Sequence, residues 1–451
     1  MRLRKVCFVL LCFVITASMP WMVAQQQEVT VQGLIFDLEH PDADRRKKAA
    51  ETIGQHKLRA AVPALIKAAA DADDSVRLAA VRALVGINDR RALRAYIDLT
   101  DDLIRDIQKK SIEGIINLYV VEDSGFIYGL RKFAEFVNPF SDDYNPLIVE
   151  PYIDVSPEAI EAIARLLTAP DKGVREDAAT ALGILRGHAA LPALQKALAA
   201  ESNGDVKVEL VRAIYKIGDA AAGGTLVPLI NDPEKKVHDE AILTVGRLRV
   251  QEAVPALKSL YESGTAERRK FLKIVPISGS DDLEKKLLEA LAYIGDPGCK
   301  EIFLAALEDE REEVRRYGAE GLGRAGDATV ITRVARKYLR EKSAAARLAM
   351  SFALYRLGRE EHLLELIDNL TSGDQAFYYM LEFSPQEVAG LYSHIRVEPA
   401  AVKIRLLEVA GLKGDESALP LFEQMTQSEN VDVVSAANLG IRRVRGRYDL
   451  L

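Results

Sequence analysis

The same helical pattern returns about every 31 residues along most of this 451-residue chain, and that period constrains the fold more than any other feature. It reads ALVGINDRRAL at 83–93 and ATALGILRGHAALPAL at 179–194. It recurs as TVGRLRVQEAVPAL at 244–257, LAYIGDPGCKEIF at 291–303, GLGRAGDATV at 321–330 and VAGLKGDESALPLF at 409–422. A unit this short cannot bury its own apolar face and must stack on its neighbours. Hydrophobic residues make up 49% and charged residues 28%, which suits packed helices and excludes a disordered or collagen-like chain.

Aligning the turn that ends each first helix places Lys57, Asn88, Tyr119, Arg186, Gly218, Arg249, Gly295, Gly326, Gly358 and Gly414 in one column. Most steps are 31 or 32 residues; three, of 67, 46 and 56, carry extra sequence. Eleven places earlier stand Arg46, Arg77, Gln108, Arg175, Lys207, His238, Glu284, Arg315, Arg347 and Lys403, mostly cations, and most of them follow an apolar residue such as Val76 or Val174. Asp74, Asp171, Asp205, Glu234 and Glu312 precede them, where a helix N-terminus favours carboxylates. Four before the turn, Ile53, Leu84, Ile115, Leu182, Ile214, Val245, Leu291, Leu322 and Leu354 complete an apolar stripe at helical spacing. After the turn, Pro63, Pro192, Pro255 and Pro420 share a site that only the first turn of a second helix tolerates. The fold expected is an all-α solenoid of stacked antiparallel helix pairs.

The acidic-x-x-Val-Arg opening, the Ala-Leu-Gly-x-Ile-Gly-Asp turn and the Ala-x-Pro-Ala-Leu start of the second helix resemble HEAT repeats. More narrowly, they are similar to the short HEAT-like units first described in phycobilisome lyases. The resemblance covers about 40–440 with interruptions. It implies a ladder of hydrogen-bonded Asp and Arg between neighbouring units, which makes Arg77, Arg175 and Arg315 structural; Glu284 and Gln108 depart from that pattern. It carries no single activity.

Residues 1–24 read as a secretory signal, with Arg2, Arg4 and Lys5 ahead of the apolar run Val6–Ala17. Cleavage after Ala24 is expected, with Met22 unfavourable at its place and an uncleaved membrane anchor as the alternative. Loss of those three cations, with no acid, takes the formal charge from −7 to −10, which excludes nucleic acid as a general partner. Cys7 and Cys12 leave with the signal, so Cys299 is alone. Its column otherwise holds Ala61, Ala92, Ala190, Ala222, Ala253 and Ala418, which marks a small buried packing position. Arg442, Arg443, Arg445 and Arg447 read as cations complementing the dipole of their own last helix.

Residues 25–451 form one array with an aromatic-rich insertion at 120–156 and a smaller one at 263–282, the latter read as a short extra helix with a solvated basic face. Eight of the 34 residues from Tyr119 to Tyr152 are aromatic, against 6% of the chain. Phe126, Tyr128, Phe133, Phe136, Phe140 and Tyr144 are the candidate partner-binding residues, as anchors of the type that dominates interface hot spots. The competing reading is a plug over a broken seam. A second group, Phe377, Tyr378, Tyr379, Phe383 and Tyr392, falls in a degenerate stretch read as a repeat leading to the C-terminal cap.

No catalytic set, cofactor site or metal site emerges. The six histidines lack metal-ligand spacing. His238 and Glu240 invite comparison with the adjacent His-Glu pairs of the iron-dependent deoxyhypusine hydroxylases, but Asp239 separates them and no equivalent pair recurs. GLGRAG at 321–326 is the end of a repeat helix, not a phosphate loop. The expected function is an exported, non-enzymatic scaffold for a protein or peptide, engaged on an inner surface lined by second helices. A lyase-like or metal-dependent enzyme and a purely structural envelope component are the alternatives.

Overall fold

The computed structural model describes residues 30–120, 148–271 and 280–448, with backbone alone at 265–271 and 280–281. Residues 1–24, most of the 120–156 insertion and the middle of the 263–282 insertion lie outside the described set. The chain divides into two compact units, one up to Ile87 and the other from Asn88 onward. The first holds helices Val31–Asp37, Ala43–Gln55, Val62–Ala68 and Asp74–Ile87. In the second, the first helices of successive pairs are Arg105–Val120, Lys172–Ile184, Gly204–Ile217, Lys235–Arg247, Ser280–Ile294, Glu312–Ala325, Ala344–Arg356, Ala400–Lys413 and Val431–Arg447. Helix pairs stacked in this way make an all-α solenoid.

The column of turns has a conformational cause. Lys57, Asn88, Arg186 and Arg249, with Gly218, Gly295, Gly326 and Gly358, all have positive φ, between 48° and 92°. Each turn reverses the chain through one left-handed residue, which glycine adopts freely and other residues adopt under strain. Tyr119 lies inside its helix, and Gly414 ends its helix with an extended backbone instead. A short 3-10 turn then opens most of the second helices, as at His188–Ala190 before Leu191–Ala200. Pro63, Pro192 and Pro420 fall in the first turn of theirs. Leu65, Leu194, Leu257, Phe303, Leu366 and Phe422 are fully buried two places on.

One second helix is not α-helical: Ala220–Asn231 is a 12-residue 3-10 run with Pro228 inside it. The cause is local. Gly223 and Gly224 weaken the helix start, and Pro228, four places later than the other prolines, removes an interior donor. Cys299 is fully buried in its alanine column, and burial pushes its thiol up to about 11.

The ladder implied by the resemblance is present, with glutamate as often as aspartate. Arg175 reaches Glu201 at 2.7 Å and donates to the carbonyls of Ala169 and Pro170 at 2.9 and 3.1 Å. Arg315 repeats this with Glu341 at 2.6 Å and the carbonyls of Asp309 and Glu310, and Arg46 with Asp71 at 2.7 Å. Each acid also accepts from a backbone N–H two residues on, as Glu341 does from Ser343 at 2.9 Å, so one carboxylate fixes both the turn and the preceding repeat. Arg77 donates to the carbonyls of Asp71 and Ala72. Where the column departs, the junction is rebuilt rather than lost. Glu284 exchanges charges with Arg311 at 2.9 Å, Gln108 donates to the carbonyl of Thr100, and the Nδ1–H of His238 donates to that of Ile230 at 2.6 Å.

Two predictions follow from turn and ladder. Replacing exposed Lys57 by glycine relieves its left-handed strain and is expected to stabilise the protein by about 0.5–1 kcal/mol, read as a higher Tm. The Arg315 guanidinium holds the Glu341 carboxyl at about 2, below its ordinary 4.5. Its folded-state pKa is depressed, so its contribution is full above about pH 4.5 and is lost as pH falls towards 2. Glu341→Gln is therefore expected to lower Tm at pH 7, with the gap to wild type closing through that window.

Candidate functional site

Small residues bring the first helices of neighbouring pairs unusually close. Three places before each turn stand Gly183, Gly246, Gly323 and Gly411, and each faces a small residue of the next first helix. A Cβ at Gly246 would lie 2.5 Å from the Cα of Ala290, one at Gly323 2.6 Å from that of Ala353, and one at Gly183 2.9 Å from that of Ala213. First helices thus pack backbone to backbone, whereas second helices of neighbouring pairs touch far less. First helices occupy the inside of the curve in the second unit, which corrects the expectation that second helices line it.

Contacts between distant repeats confirm this side. Glu382, just past helix Gln375–Met380, takes a bidentate pair from Arg324 at 2.7 and 3.0 Å and a further one from Arg249. Tyr379 stacks on Phe352 at 4.2 Å and donates to Glu320 at 2.6 Å. The stretch read as a step towards the C-terminal cap is therefore laid against the inner face of earlier repeats. Its aromatics Phe377, Tyr379 and Phe383 are buried, and Arg405 sits 4.0 Å over Phe377.

The polar side of the first helices faces into this curve. Two places before the turn stand Lys216, Arg247, Tyr293, Arg324 and Arg356; six places before it stand Arg212, Glu289, Glu320 and Glu408. Arg212 bridges Glu209 at 3.0 Å and Glu240 at 3.2 Å, and Tyr317 donates to Glu289 at 3.2 Å. Arg324 has only 4% of its side chain exposed; it also reaches Glu320 at 3.3 Å and lies 4.7 Å over the Tyr293 ring. Burial raises the Glu289 carboxyl above its ordinary value against the pull of Arg247. Burial alone would raise Glu382 too, but Arg324 and Arg249 more than reverse it.

A second segment enters from the other direction. Residues 148–150 belong to no helix, the N–H of Val149 donates to the carbonyl of Ile184 at 2.8 Å, and Glu150 opens a turn closed by the N–H of Ile153 at 3.1 Å. Glu150 takes a bidentate pair from Arg443 at 2.8 and 2.9 Å, 293 residues away, with both side chains about nine-tenths buried. Gly446 leaves room for this, since a Cβ there would lie 2.3 Å from the Cβ of Tyr152. The C-terminal arginines are thus not chiefly partners of their own helix dipole. Arg443 holds Glu150, and Arg447 donates to the carbonyls of Gly411, Leu412 and Gly414 at the end of the preceding first helix.

This repeat geometry agrees with a family comparison, in which a model of HEAT repeats matches residues 31–115, 153–214 and 191–274. Those stretches carry HEAT repeats. A crystal structure of an engineered protein aligns over 92% of this chain and 98% of its own, at 17% identity and a TM-score of 0.41. No curated protein matches the sequence. Beyond the matched stretches, the columns carry the HEAT register on to Val431–Arg447.

The candidate residues Phe126, Tyr128, Phe133, Phe136, Phe140 and Tyr144 lie outside the described residues. The inner-face residues were missed, although a signal for them exists: extending the repeat alignment to two places before the turn exposes the recurring cations. The partner of Arg443 had no such signal. Among the described residues, no group of three or more His, Cys, Asp or Glu is placed to hold a metal, and no helix is long and apolar enough to cross a membrane. Removing one partner of the buried Arg443–Glu150 pair is expected to cost about 3 kcal/mol. Glu150→Gln should lower Tm and speed hydrogen exchange at the Val149 amide, and the double variant Glu150→Gln/Arg443→Met should recover most of the Tm, because no buried charge is then left alone.

Proposed function

We propose that this protein is a non-enzymatic scaffold that binds a protein or peptide partner on the inner face of its HEAT repeats, and that it works outside the cytoplasm. One observation carries the binding reading: the first-helix side already holds a non-helical stretch of the chain itself. The segment around Glu150 is fixed there by a backbone hydrogen bond to Ile184, a charge-assisted pair with Arg443 and a glycine that admits Tyr152. These are the means by which a solenoid surface grips an extended partner. The 31-residue unit supports placing these repeats in the short HEAT-like class of the phycobilisome lyases. The basic and apolar text of residues 1–24 supports export, with the partner met in the periplasm or beyond.

Site-specific photo-crosslinking in the native cell tests the binding reading. A photoreactive residue at Asp177, on the inner polar side of a first helix, is expected to give a discrete protein adduct, and one at Lys196, exposed on a second helix, is not. Equal labelling at both, or none at Asp177, would sink it. Terminal sequencing of the protein recovered by osmotic shock should begin at Gln25; retention in the cytoplasm with Met1 intact contradicts export.

A further inference from the structure

Residues 148–152 form a strap between two first helices that hardly touch each other. Lys172–Ile184 lies near the start of the second unit and Val431–Arg447 at its end, and the strap is anchored to both. The N–H of Val149 donates to the carbonyl of Ile184 at 2.8 Å. That carbonyl belongs to the last turn of its helix, where no partner exists within the helix itself. The Val149 side chain is buried. Glu150 takes two bonds from Arg443 at 2.8 and 2.9 Å, and Tyr152 lies in the notch left by Gly446.

The strap is additional to the repeat frame. It falls in the longest of the interrupted intervals, the 67 residues from Tyr119 to Arg186. Across that interval the first helices Arg105–Val120 and Lys172–Ile184 pack directly on one another, and Pro157–Arg165 fills the second-helix position against Leu93–Leu99. The stack is thus continuous without residues 148–152. Their three anchors, a main-chain N–H, a carboxylate and an aromatic ring, are ones that a segment of another chain can supply equally. Covalent tethering is what gives the strap its advantage, because it holds these groups at a high effective concentration beside their sites.

We propose that residues 148–152 are an intramolecular occupant of the partner-binding face, displaced by a partner segment of the same chemistry: a buried aliphatic residue, a carboxylate next to it and an aromatic residue two places further. This rests on the reading of the inner face as a binding surface, and it adds the regulation of that face and the kind of segment it takes. A tethered competitor lowers the apparent affinity of a partner by the fraction of time that the face is free. A segment lacking the carboxylate leaves Arg443 buried without a counter-charge and loses the competition. The strap therefore selects among partners as well as holding the face closed to them.

The probe is a labelled peptide of the strap's own sequence, Ile-Val-Glu-Pro-Tyr with blocked ends, added to the full chain and read by fluorescence anisotropy. Glu150→Gln/Tyr152→Ala removes two of the strap's anchors and is expected to bind the peptide at least about tenfold more tightly than wild type. Adding Arg443→Met to that variant, or placing Gln for Glu in the peptide, should each weaken binding by about tenfold or more. Circular dichroism shows whether the variants keep their fold. Hydrogen exchange on the wild-type chain covers the case in which they do not: excess peptide should speed exchange of the backbone around Val149, and the glutamine peptide should not. Equal or absent binding in wild type and the folded variant, or unchanged exchange around Val149, overturns the proposal. In the cell, Glu150→Gln/Tyr152→Ala is expected to raise the yield of the Asp177 adduct severalfold. An adduct whose yield it leaves unchanged also overturns the proposal while leaving the scaffold reading intact; no Asp177 adduct from either chain, with the strap displaced by the peptide, does the reverse.

Discussion

Close approach of neighbouring first helices, made possible by two columns of small residues, is the constraint from which the rest of the second unit follows. Where Gly183, Gly246, Gly323 and Gly411 meet Ala213, Ala290, Ala353 and Gly440, backbones pack with no side chain between them. The second helices, opened by bulky Leu and Phe positions, stay further apart. A stack pinched on one side must curve towards that side. The curvature carries the polar stripe of each first helix inward, where it is removed from water by its own neighbours. Burial of Arg324, Glu289 and Glu320 is thus a consequence of backbone packing rather than of any apolar pattern.

Charges taken out of water must be paired or they shift towards neutrality. The protein satisfies this in two ways. Ladder pairs such as Arg175–Glu201 and Arg315–Glu341 join consecutive repeats near the start of the first helices and are completed by backbone groups. Inner-face pairs join repeats far apart in sequence, Arg324 and Arg249 with Glu382, and Arg443 with Glu150. The first kind sets the spacing of the solenoid. The second ties distant repeats together, so the curvature is held by cross-links as well as by packing.

The fold was legible in the sequence because each repeat supplies an independent copy of the same signal. The column that includes Lys57 and Arg249 predicted the turns even where glycine is absent, and the alanine column explained Cys299 before its burial was visible. Properties that depend on curvature were not legible. Whether first or second helices lie inside is decided by glycine-to-alanine contacts across a junction, and periodicity within one helix does not report these. Pro228 did break a second helix in a way that local chemistry accounts for, but Glu150 and Arg443 are separated by 293 residues and share no column. The aromatic stretch around Tyr379 reads as a degenerate repeat, and Gln375–Met380 does pack between Ala344–Arg356 and Ala400–Lys413, but its bond to Glu320, one repeat further back, left no mark in the sequence.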